Sequence, residues 1–141
     1  MEKLLGYFLN NNSEEYFMVL SQKQKNELLT GIRLATELKS SSENLKKFLV
    51  ISAYQYNSDG KIIKLNRILN KNYANLKIYF DLICYEIPKE YCNSWDTDYF
   101  IINKKEIKDI NNIKELEAIL NNYLSDITKL VPEWYIDSVL I

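Results

Sequence analysis

Histidine is absent from all 141 residues, and glycine (3), proline (2), cysteine (2) and arginine (2) are scarce. Without an imidazole, no His-based general base, no His-ligated metal site and no ordinary pH-switch residue is available. The three glycines, Gly6, Gly31 and Gly60, are too scattered for a phosphate-cradling loop, and no GxxxxGK[ST], GxGxxG, GxSxG or HExxH string occurs. Cys84 and Cys92 lie eight residues apart with no second pair, a spacing that fits neither a zinc site nor a disulfide framework. Two thiols of this kind suit a reducing compartment, with Cys84 expected as a small buried hydrophobe.

Long apolar runs are missing as well. Stretches such as residues 48–51 are four residues long, far below the roughly 20 a membrane helix needs. Met1 leads into Glu2 and Lys3, unlike a secretory leader, so a cytoplasmic chain without a membrane partner is expected. The charge balance is close to even, at −1. With 16 lysines to two arginines, the bidentate recognition that favours Arg is poorly served, and no direct nucleic-acid partner is expected. The abundance of Asn and Lys matches an A/T-rich coding bias and carries no function by itself.

What is present is a length that supports one ordinary core, about 68–70% of the unfolded surface being buried at this size. Residues 1–141 contain no linker and no repeat, which predicts a single domain. Residues 3–9 and 15–20, separated by Asn10, Asn11, Asn12 and Ser13, read as a hairpin. Ser21 and Gln24 have capping-box spacing, and apolar positions run on at helical intervals to about Lys39. Strands are expected over 48–56, 61–69, 73–87 and 99–103, the first two joined by Asn57-Ser58-Asp59-Gly60. Ile113, Leu116, Leu120, Tyr123, Leu124, Ile127 and Leu130 form a second helical stripe, capped by Asn111 or Asn112. Pro132 stops it, and residues 134–141 read as a last strand. The order β-β-α-β-β-β-β-α-β predicts an α+β fold: a mostly antiparallel sheet of six or seven strands with two main helices.

No catalytic constellation, cofactor motif or metal-ligand spacing emerges. Asp96 and Asp98 would share one side of an extended segment, but Tyr99 and the apolar residues after it break the pattern of a calcium loop. Lys104, Lys105 and Lys108, interrupted by Glu106, read as a solvated connection. The remaining candidate is a surface. Residues 86–98, EIPKEYCNSWDTD, carry a local charge of −3 with Tyr91 and Trp95 among the carboxylates. Aromatic anchors with an acidic rim suit a basic protein partner. Glu86, Glu90, Tyr91, Trp95, Asp96, Asp98 and Tyr99 are therefore the candidate partner-binding residues, with Trp134 and Tyr135 as an extension. Taken singly, each tryptophan is more often a core residue.

On these features, and on the segment Trp95-Asp96-Thr97-Asp98-Tyr99-Phe100, the chain resembles the small cytosolic immunity proteins of bacterial polymorphic and contact-dependent toxin systems. The resemblance implies a non-catalytic inhibitor that covers the active or substrate-binding face of a cognate, basic toxin such as a nuclease. An accessory or regulatory module, for instance a phage-encoded inhibitor binding another protein or a small ligand, is the alternative.

Overall fold

The structure, a computed structural model, describes residues 17–65, 76–92 and 100–136. The fold is α+β: helices α1 (Gln22–Leu29) and α2 (Ile113–Tyr123) accompany an antiparallel sheet of β1 (Leu34–Leu38), β2 (Leu45–Tyr56), β3 (Ile62–Lys64), β4 (Tyr79–Pro88), β5 (Ile102–Ile110) and β6 (Val131–Pro132). The strand order is β5-β4-β2-β1-β6, with β3 also pairing β2.

Helix α1 starts where the capping box placed it. Ser21 Oγ accepts from Gln24 N, and Gln24 Oε1 accepts from Ser21 N. It stops ten residues before Lys39, because Gly31 takes φ 94° and the chain closes a Schellman turn: Ile32 N donates to Glu27 O, and Gly31 N to Leu28 O. The apolar residues beyond form β1 instead. Helix α2 covers the first part of its stripe, Ile113, Leu116, Leu120 and Tyr123, and is capped by Asn112, whose Oδ1 accepts from Glu115 N at 2.8 Å. It ends at Tyr123; Ile127–Lys129 is a separate 3-10 turn.

Other boundaries shift for identifiable reasons. Residues 17–20 are not a strand; they run along α2, where Asn121 bonds both N and O of Met18 and Glu117 Oε2 accepts from Leu20 N at 2.8 Å. The rest of the expected first hairpin lies outside the described residues. The lysine-rich stretch 104–108 is no connection but the middle of β5. Pro132 belongs to β6, and a 3-10 turn, Glu133–Tyr135, follows it where a strand was expected; residues 137–141 lie outside the description.

Strand alternation gives the sheet two faces. Leu49, Ile51, Phe80, Leu82 and Cys84 pack with Leu28 of α1 and Leu116 and Leu120 of α2 in the larger core. Phe48, Val50, Tyr85 and Ile87 form a second cluster on the opposite face, joined by Ala35 and Cys92 and flanked by Tyr91, Phe100 and Ile136. No helix among the described residues is long and apolar enough to cross a membrane.

Candidate functional site

The second face changes character along its length. At the Phe48 and Tyr85 end it is covered; towards the Ser52 and Tyr54 end it opens into a cleft of about 480 Å³. The cleft follows from strand lengths. On one edge of β2, β1 pairs as far as Ile51 and β3 pairs from Tyr54 onwards, so Ser52 and Ala53 have no partner strand on that side. By the alternation of an antiparallel ladder, one of these two residues turns its N–H and C=O into the gap. Arg33, Lys64, Asp81, Glu133 and Trp134 are among the residues that line it.

Asp81 lies on β4 directly across from Ser52, and Ser52 Oγ donates to Asp81 Oδ1. Asp81 has no ion pair among the described residues. Burial raises its carboxyl above the ordinary aspartate range; the Ser52 hydroxyl opposes that, Glu106 adds to it and Lys108 opposes it. On the opposite wall, Arg33 Nε stands 2.5 Å from Glu133 Oε2, so that guanidinium is already matched. Trp134 and Tyr135, on the turn after β6, are 64% and 70% exposed, with ring centroids 6.0 Å apart.

Beyond the cleft, Tyr54, Tyr56 and Tyr79 pack edge-to-face or stacked at 5.5–6.2 Å. Both Tyr54 and Tyr56 donate their hydroxyls to Asp109 Oδ1 at 2.6 Å. These bonds hold the Asp109 carboxyl below its usual range. Tyr54 is raised, first by burial and then by its bond to Asp109.

Of the expected acidic surface, residues 86–92 are described. Glu86 is a correction: it is 3% exposed and its carboxylate is occupied, accepting from Ser41 N at 2.6 Å, Ser41 Oγ at 3.0 Å and Asn103 Nδ2 at 2.6 Å. The Ser41 N–H is the largest of the influences that lower its pKa. Tyr91 stacks on Phe100, centroids 3.6 Å apart, beside the second cluster, and so packs inward. Glu90 is exposed on the 3-10 turn Lys89–Tyr91. Trp95, Asp96, Asp98 and Tyr99 lie outside the described residues.

Sequence reasoning missed Asp81 and Ser52, since their pairing is a matter of register across 29 residues and leaves no local pattern. Among the described residues no three Cys, Asp or Glu side chains converge as metal ligands. No family model, no curated protein and no solved structure matches the chain.

Proposed function

We propose that this chain is a non-catalytic binding protein whose partner seats on the open half of the second sheet face, anchored by Trp134 and Tyr135. The observation that carries the reading is the pair of adjacent large aromatics left 64% and 70% exposed, the tryptophan lining a cleft. Exposed Trp and Tyr next to a pocket are the residues that dominate interface energetics. The titratable groups nearby favour binding over catalysis. Arg33 is paired with Glu133 and Tyr54 with Asp109, and among the described residues Asp81 has no second titratable group in hydrogen-bond contact to divide acid and base roles with.

Its specific form is an immunity protein acting in the cytoplasm on a cognate basic toxin. The interface is placed at Trp134 and Tyr135 because Glu86 and Tyr91 serve the interior; exposed Glu90 remains a candidate rim charge.

The test is co-expression with the product of the adjacent upstream gene, one of the two tagged. The expected result is a stoichiometric complex that survives high salt and suppresses the neighbour's toxicity, weakened at least about 30-fold by Trp134→Ala with Tyr135→Ala. Neither complex nor protection would transfer the reading to an accessory module with a different partner.

A further inference from the structure

The cleft has a chemistry more specific than its aromatic rim. Among the described residues its lining carries four charges that balance in sign, Arg33, Lys64, Asp81 and Glu133, and only one pair of them is matched. Arg33 and Glu133 face each other at 2.5 Å. Lys64 is exposed on β3 and makes no ion pair among the described residues, and Lys108 stands 3.9 Å from Glu106. Among the described residues Asp81 is left with one donor residue, Ser52, whose hydroxyl and backbone both act on its carboxyl, although a carboxylate offers about four acceptor positions. It lines a cleft that also offers a strand-edge backbone at Ser52 and Ala53 and an exposed indole at Trp134.

Together these make a receptor for a flat cation. We propose that the cleft takes an arginine side chain presented by the partner, its guanidinium donating to the Asp81 carboxylate and its plane lying against the Trp134 ring. Arginine fits better than lysine, because its fork can bond the carboxylate with two N–H groups and its flat face stacks on an indole. A cleft of about 480 Å³ lies within the range of sites that engulf a small ligand. Burial raises the Asp81 carboxyl more than the Ser52 contacts and the Lys108 charge lower it.

This inference rests on the binding reading above, and its test needs no partner. N-acetyl-arginine amide and its neutral isostere N-acetyl-citrulline amide are titrated into the isotope-labelled chain, reading the Trp134 indole N–H. The arginine probe is expected to saturate with millimolar affinity and the citrulline probe to bind at least about tenfold more weakly, a charge-assisted contact being lost. Asp81→Asn is expected to reduce arginine binding about tenfold with the amide spectrum otherwise preserved. Trp134→Ala, at an exposed site that leaves folding intact, is expected to reduce it about threefold, read from the remaining cleft amides. Equal binding of the two probes, no binding of either, or an unaffected Asp81→Asn variant would overturn the arginine receptor. A co-purification that succeeds beside such a failure would retain the binding protein and remove only its arginine site; one that fails as well would remove both.

Discussion

Two acidic residues on β4, five positions apart, are treated in opposite ways. Glu86 is buried and accepts three hydrogen bonds, two from Ser41 and one from Asn103. Asp81 accepts from Ser52 and faces a cleft. Burial alone does not decide what a carboxylate is for; the number of donors that converge on it does. Three donors make Glu86 a tie between the β1–β2 connection and β5. A single donor residue leaves Asp81, among the described residues, with spare acceptor capacity, the condition for recognising something outside the chain.

The same strand, β5, serves both ends through its irregularities. Its register against β4 slips twice, between Phe80 and Leu82 and between Cys84 and Glu86. Beside these slips Asn103 and Asp109 adopt φ 52° and 57°. Bulges of this kind re-aim side chains: Asn103 reaches Glu86, and Asp109 reaches the hydroxyls of Tyr54 and Tyr56.

The largest effect that would sharpen the comparison is at Glu86. Glu86→Ala leaves the Ser41 N–H and the Asn103 amide without their acceptor and is expected to cost about 2–3 kcal/mol of stability in urea unfolding. A loss under about 0.5 kcal/mol would erase the distinction between the two carboxylates.

Next is pH, where the two residues act with opposite signs. Glu86 has a folded pKa below its ordinary 4.5, so its contribution is fully present above 4.5 and is lost as pH falls through the folded value. Asp81 has a folded pKa above its ordinary 3.8, so the folded chain holds this proton more tightly and stability from this group falls as pH rises from 3.8 through the folded value. Urea midpoints compared between pH 3 and 7 should therefore show Glu86→Gln becoming more harmful and Asp81→Asn less harmful as pH rises. At pH 7, Asp81→Asn is expected to be neutral or stabilising, with at most about 0.5 kcal/mol of loss.

The smallest effect on folding is expected from Trp134→Ala with Tyr135→Ala, within about 0.5 kcal/mol in the same assay, as for surface residues of no structural role. A loss of 2 kcal/mol or more, typical of an emptied core site, would mean that the two rings pack the chain and are not held for a partner.

Part of this was legible in the residues. The capping box at Ser21, the turn Asn57–Gly60 and the Asn112 cap with the first part of the α2 stripe are local signals, and the structure carries each of them. The α+β class followed from their order. A helical stripe running to Lys39 overruns α1 because residues 32, 35 and 36 suit a helical stripe and a strand equally, while Gly31 in the left-handed region ends the helix before them. Strand β5 was hidden because its charged residues are mostly exposed and its two bulges break the period-2 alternation. The candidate site was the least legible. Residues 86–98 look like an acidic surface in one dimension, but Ser41 and Asn103, far apart in sequence, draw Glu86 inward. Asp81 meets Ser52 only through the register of β2 on β4.

The most direct test of the account is a carbon-detected NMR titration that follows the Asp81 and Glu86 carboxyls in one sample. Asp81 is expected to titrate above 3.8 and Glu86 below 4.5, with N-acetyl-arginine amide lowering the first and leaving the second unchanged. If both carboxyls titrate at ordinary values, or if the probe moves neither, the division of β4 into a structural end and a recognition end is contradicted.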